Sequence, residues 1–321
     1  MIDNITMIKR TLSEVEKKSI IKSSRLVSNS LNGLIYYDNR TTKNFTGGLF
    51  IKIDTSNKLK ITGSIHKYFS FLENGSLTNF ESFTMNDVKR TLEKLISNTG
   101  INPDKVEINF FEIGLNVKIP IEAKAVLEAI HSIGKHKEKP FLIDANHKEA
   151  RQITTERHRD YRIYFKVYDK VFEMLDKHHK RTPQGINIVR IETVHRRCEK
   201  VYLIDFFDME FLQRLQNSFF NEWDKLNFYN DITAPKGTQR SKIDLIRNII
   251  YKGKNEVLKQ YKTQYENNAL TKRQFYSVRD FLENWESMRH EFNIKNSKIV
   301  PFWFMAYNSE KQIVKLKPQI K

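Results

Sequence analysis

The chain has 321 residues, and its 39% hydrophobic and 12% aromatic content is too rich in core-forming side chains for a disordered polymer. Its 55 Lys and Arg against 38 Asp and Glu leave a formal charge of +17, which suits a polyanionic partner, nucleic acid first. A single cysteine, Cys198, excludes an intrachain disulfide and a cysteine-based metal cage; no apolar run reaches the ~18–20 residues of a membrane span, and the start lacks the basic-then-apolar pattern of a signal peptide, so a cytoplasmic protein with no membrane partner is expected.

Period-two alternation marks the strands. The run 48–54 is expected to pair with 59–69 through a turn at 55–58. Within 59–69, Leu59, Ile61, Ile65 and Phe69 share one face, and Lys60, Thr62, Ser64, His66 and Tyr68 share the other. A helix is expected over 84–98, where Thr84 stands three residues before Asp87, as in a capping box, and Val88, Leu92, Leu95 and Ile96 recur at helical spacing. The strand 108–118 sets Phe111, Ile113, Leu115 and Val117 against Glu112, Gly114, Asn116 and Lys118. A helix over 121–134 follows Pro120. In 161–170, Ile163, Phe165 and Val167 oppose Arg162, Tyr164, Lys166, Tyr168 and Lys170; in 186–197, Val189 and Ile191 oppose Arg190 and Glu192. Helices over 208–226 and 271–291 and a late strand over 299–307 complete the pattern. The fold class expected is α+β: a central, mostly antiparallel sheet with helices on one face in residues 1–207, and a mainly helical accessory or DNA-binding region in 208–321.

The polar sheet face then collects His66, Glu112, Asn116, Arg162, Tyr164, Lys166, Tyr168, Lys170, Arg190 and Glu192. A histidine and carboxylates of this kind can hold Mg²⁺ or Mn²⁺, and such an ion polarises a phosphoryl oxygen. A tyrosine beside it can act as a covalent nucleophile if cations favour its phenolate, and Lys166 and Lys170 flank Tyr168 at i−2 and i+2. The simpler use of Glu112 and Glu192 is a cross-strand ion pair with Lys or Arg. Basic clusters at 135–137, 177–181 (with Lys180 and Arg181) and His195-Arg196-Arg197 are expected to contact phosphates. Lys272, Arg273, Tyr276 and Arg279 make a further basic helix face, read first as solvated.

The ordered set Met1-Ile2-Asp3, Gly63-Ser64-Ile65-His66-Lys67-Tyr68, Asn79-Phe80, Phe111-Glu112-Ile113-Gly114-Leu115-Asn116-Val117, Lys166-Val167-Tyr168-Asp169-Lys170 and Val189-Arg190-Ile191-Glu192 resembles the phage and plasmid rolling-circle replication initiators of the filamentous-phage gene-two type. The resemblance covers residues 1 to about 205 and implies a fold similar to the HUH endonucleases. One departure stands out: the His-hydrophobic-His pair of that group is missing, since Ile65-His66-Lys67-Tyr68 has one His. What the resemblance implies is a site-specific single-strand endonuclease. Tyr168 would be the nucleophile, with Tyr164 in reserve, and Lys170 and Lys166 would offset charge. Glu112, His66 and Glu192 would be the metal ligands, and Arg162, Tyr164, Arg190, Arg196, Arg197, Lys180 and Arg181 the DNA contacts. Its partners would be origin DNA, single-stranded or as a hairpin, and host replication proteins.

Two alternatives stay open. One is a non-enzymatic nucleic-acid-binding protein that stacks bases on Tyr68, Tyr164 and Tyr168. The other is a relaxase or transposase nickase with the same chemistry. No phosphate-binding Gly-x4-Gly-Lys-Ser/Thr motif is present, which argues against a P-loop NTPase.

Overall fold

The computed structural model describes residues 1–135, 139–148, 150–154, 162–178 and 185–315, with the side chains of Lys177, His178 and Tyr251 left aside. The chain divides into two compact units, one from Met1–Asn227 and the chain from Pro301 onward, the other Phe228–Val300.

In the first unit β1 (Ile2–Lys9), α1 (Glu14–Ser23), β2 (Val27–Leu31), β3 (Leu34–Asp38), β4 (Phe50–Ile53), β5 (Leu59–Ser64), α2 (Ile65–Asn74), α3 (Met85–Thr99) and β6 (Glu107–Ile119) come first. Then follow α4 (Ala123–Ala129), β7 (Ile130–Ile133), β8 (Lys139–Pro140), β9 (Leu142–Ile143), β10 (Arg151–Ile153), β11 (Ile163–Asp169), α5 (Lys170–His178), β12 (Asn187–Arg196) and α6 (Met209–Trp223). Ten of these strands form one sheet in the order β2-β3-β4-β5-β1-β6-β12-β11-β10-β9. Every neighbouring pair in it is antiparallel. The protein is therefore α+β with a large antiparallel sheet, as the alternation implied.

One face of the central strands is apolar because Phe165, Val167, Ile191, Ile113 and Leu115 alternate with polar residues along β11, β12 and β6, and all five are buried. Helix α6 closes this face. Its Trp223 ring lies edge-on to Phe165 at 5.7 Å, and the indole N–H donates to Thr193 Oγ1 at 3.1 Å. Helices are not confined to that side. Helix α5 covers the polar face, since its Lys170, Phe172 and Glu173 line the same cavity as Lys166, Tyr168 and Glu192.

Helix α3 starts as its sequence dictates, with both halves of the Thr84–Asp87 capping box formed. Four other segments depart from expectation; one is the helix expected over 271–291, which is broken at Asn284 into Lys272–Glu283 and Trp285–Met288. The alternation of 59–69 ends at Ser64, whose side chain caps α2 by accepting from Lys67 N; Ile65 and Phe69 are also four apart, a helical spacing, so the period was ambiguous. The helix expected over 121–134 stops at Ala129 and continues as β7. The apolar run at 299–307 belongs to a helix, Ile299–Val314, with Pro301 in its first turn, where a missing N–H costs nothing. That helix buries Trp303, Ala306, Tyr307 and Val314.

The second unit holds α7 (Arg240–Lys252), α8 (Lys254–Glu266), α9 (Lys272–Glu283) and α10 (Trp285–Met288), with a ribbon of Asp231–Thr233 paired to Asn293–Lys295. Its core gathers Leu245, Ile246, Ile249, Val257, Leu282 and Trp285. The break between the units falls after Asn227 rather than at 208, because α6 packs on the sheet of the first unit; the last helix, α11 (Ile299–Val314), runs back into that unit from Pro301. Among the described residues no helix is long and apolar enough to cross a membrane.

Candidate active site

Register fixes the site. Lys166 lies opposite Glu192 and Tyr168 opposite Arg190 across β11 and β12, while Glu192 faces Gly114 and Arg190 faces Asn116 across β12 and β6. These side chains share one face of three adjacent strands. From the other side β1 contributes two consecutive residues. Its pairing with β6 slips between Ile2 and Ile5, and this bulge lets both Asp3 and Asn4 line the cavity, where a regular strand would send them to opposite faces.

The result is a connected polar network. Arg190 Nη2 donates to Asp3 Oδ2 at 2.7 Å, Nε to Glu192 Oε1 at 2.6 Å and Nη1 to Asn116 Oδ1 at 2.8 Å. Asp3 also accepts from Ser64 Oγ and from Asn79 Nδ2 at 3.0 Å. The Lys166 ammonium lies 2.8 Å from Glu112 Oε1 and 2.5 Å from Glu192 Oε2. Asn4 Nδ2 donates to Glu112 Oε2 at 2.5 Å, and the Tyr168 hydroxyl donates to Glu192 Oε1 at 3.0 Å. Gly114 makes the arrangement possible, because a Cβ there would stand 2.6 Å from Arg190 Nη2 and 3.1 Å from Glu192 Cγ.

The network borders a cavity of about 250 Å³ into which Lys67, Arg151 and Lys170 also project. Lys170 pairs with Glu173 at 2.8 Å and lies 5.9 Å from the Tyr168 ring centroid. Burial tunes the groups, each against its neighbours. Burial is the largest single influence on Asp3 and would raise its pKa, but Arg190, then Lys170, His66 and the Ser64 hydrogen bond, together hold the carboxyl well below its usual range. Glu192 is likewise opposed by burial, yet Lys166 and then Arg190 hold it at about 2. Glu112 is raised, by burial and then by the charge of Glu192. Burial, followed by Glu192, pushes the Tyr168 phenol well above 10, so it rests protonated.

Of the expected site residues, Tyr168, Lys166, Lys170, Glu112 and Glu192 converge. His66 does not join them. It sits in the first turn of α2, stacked on Phe83 at 4.5 Å between ring centroids, and burial pushes its imidazole well below its ordinary pKa. Among the described residues no three His, Cys, Asp or Glu side chains are grouped to hold a metal ion. Arg190 is no solvent-facing DNA contact, since it is 2% exposed and fully engaged with Asp3, Glu192 and Asn116. Arg162 is exposed and paired with Glu199 at 2.7 Å. Arg196 lies over the buried Tyr164 ring at 4.9 Å, and Arg197 is exposed in the turn that ends β12. His136, Lys137, His179, Lys180 and Arg181 lie outside the described residues. Nor do the three tyrosines form a stacking platform. Tyr68 is buried on α2 with Asn98 Nδ2 on its hydroxyl at 3.1 Å, and Tyr164 is covered by Arg196.

Four members of the site, Asp3, Asn4, Ser64 and Asn79, are not among the expected site residues. Asp3, Ser64 and Asn79 stand inside the quoted motifs, which is the signal that could have found them.

Glu112 and Glu192 fit a hard divalent ion in chemistry and in aim. Both are oxygen donors, and Glu192 Oε2 is buried without a well-aligned hydrogen bond, meeting Lys166 only as an ion pair. His66 does not fit. No protein-family model matches the sequence, and no curated protein matches it.

Proposed function

We propose that the chain is a tyrosine nickase that cuts one DNA strand at an origin and starts rolling-circle replication. The observation that carries this reading is the Tyr168 hydroxyl, held by Glu192 at 3.0 Å on the wall of a cavity that also takes Lys67 and Lys170. A phenol with an oriented lone pair, cations beside it and open space before it is what in-line attack on a phosphodiester requires. The Tyr168 oxygen bonds to phosphorus, the phosphorus–O3′ bond breaks, the phenol proton leaves to solvent, and O3′ takes up a proton. The products are a 5′-phosphotyrosine and a free 3′-hydroxyl.

Glu192, held near 2, is too weak a base to take the proton for long, so its part is to fix the phenol's orientation. Burial keeps the resting phenol neutral and unreactive. Lys170 favours the phenolate as it forms. A divalent ion, Mg²⁺ or Mn²⁺, held by Glu112 and Glu192, would supply polarisation of a phosphoryl oxygen when bound.

The test uses a library of labelled single-stranded hairpin oligonucleotides and Mn²⁺. The wild-type protein is expected to form a denaturant-resistant adduct whose phosphopeptide maps to Tyr168. Tyr168→Phe should abolish it and Tyr164→Phe should not. An adduct that persists in Tyr168→Phe would refute the assignment.

A further inference from the structure

We infer that Lys166 is a tethered counter-cation that competes with a divalent ion for the Glu112–Glu192 carboxylate pair, so that loading the site requires the ammonium to leave. The inference rests on the reading of this cluster as the metal-assisted nicking site.

Three of the four carboxylate oxygens are hydrogen-bonded by neutral, guanidinium or ammonium donors in directed geometry. Glu112 Oε2 takes Asn4 at 2.5 Å, Glu192 Oε1 takes Tyr168 at 3.0 Å and Arg190 at 2.6 Å, and Glu112 Oε1 takes Lys166 at 2.8 Å. The fourth, Glu192 Oε2, has only the ion pair with Lys166 at 2.5 Å. The oxygens that remain for a cation thus point to one place, and Lys166 Nζ fills it.

The neighbouring cations are committed elsewhere. Arg190 is fixed by three hydrogen bonds and by its passage over Gly114, and Lys170 is paired with Glu173. Lysine is the suitable residue for a displaceable charge, being a compact ammonium on a flexible four-carbon stem. Lys166 is one of the residues that line the cavity. Charge points the same way. Among the described residues the direct ion pairs of Asp3, Glu112 and Glu192 are with Lys166 and Arg190, three carboxylates to two cations. A dication offers that cluster twice the charge of the ammonium at similar distance.

The test needs no DNA. Mn²⁺ binding to the full chain, read from the electron paramagnetic resonance of the free ion, is compared for wild type and Lys166→Met. The variant should bind about tenfold tighter or more, and Glu112→Gln added to it should remove the gain. Equal or weaker binding by Lys166→Met, including no binding by either protein, overturns the inference. If Lys166→Met does not fold, the wild-type chain answers by amine acylation and mass spectrometry. Lys166 should be protected in the absence of divalent ions and become labelled at saturating Mg²⁺, with the exposed Lys18 as internal reference. Unchanged or deeper protection of Lys166 overturns the inference. Neither readout depends on nicking, so the loss of the Tyr168 adduct and the failure of this competition are separate results.

Discussion

Replacing Arg190 by Met removes the cation at the centre of the buried network while roughly keeping the side chain's reach. The guanidinium is 2% exposed and makes three hydrogen bonds of 2.6–2.8 Å, two of them to carboxylates. Hydrogen bonds to charged groups contribute about 1.5–3 kcal/mol each, and deleting one partner of a buried ion pair costs about 3–5 kcal/mol. Two pairs break at once, but Ser64 and Asn79 still hold Asp3, and Lys166 and Tyr168 still hold Glu192. The expected loss is therefore about 3–5 kcal/mol at pH 7, a large share of the ~5–15 kcal/mol of a typical domain.

Urea denaturation at pH 7 and near pH 4.5 measures it, and the pH dependence carries the sign. In the wild type, Asp3 and Glu192 sit below their unfolded values, with Glu192 at about 2. Their stabilisation is present at neutral pH and fades as the pH falls below about 4. In the variant Asp3 loses its principal cation, and burial, opposed then only by Lys170, His66 and the Ser64 hydrogen bond, raises its pKa. The penalty should then shrink as falling pH protonates it. A loss under about 1 kcal/mol at pH 7, or a penalty that does not change with pH, would show that Arg190 does not neutralise these carboxylates.

Gly114→Ala should cost about 1–3 kcal/mol by urea denaturation, since the new methyl would press on Arg190 at 2.6 Å. Most of that cost should vanish in the Arg190→Met background, and strict additivity of the two changes would refute the contact. Adduct formation should rise with pH, about tenfold per unit between pH 7 and 9, because burial and Glu192 keep the Tyr168 phenol protonated throughout that range. A rate that is flat across it would show that phenol deprotonation does not limit the reaction.

The central strands were legible because each of them is apolar on one side alone. Phe165 and Val167 against Lys166 and Tyr168, or Val189 and Ile191 against Arg190 and Glu192, allow one reading of face. Their cross-strand register was not legible, and it is register that puts Lys166 beside Glu192. Of the two uses the sequence allows Glu112 and Glu192, the cross-strand ion pair is the one formed: Lys166 holds Glu112 Oε1 and Glu192 Oε2. Asp3 escaped because its orientation depends on a slip in pairing between β1 and β6, which no single-strand pattern records. His66 was misplaced for a local reason. Period two and period 3.6 agree over Ile65 and Phe69, and the cap at Ser64 that decides between them is one hydroxyl.

The second unit begins at Phe228 and ends at Val300, and the chain runs on at both ends within the same first unit. It is an insertion with two covalent connections, not an appendage on one. A single proteolytic cut at either connection leaves it tethered by the other, and its release takes two. Truncating the chain near residue 230 is for the same reason a poor way to remove it. That cut also discards Tyr307, whose hydroxyl donates to Asp224 at 2.9 Å, and the backbone of Val314 that accepts from Gln216 at 2.8 Å. Joining Asn227 to Pro301 through a linker is the cleaner excision, because it keeps the last helix within the sheet-bearing unit.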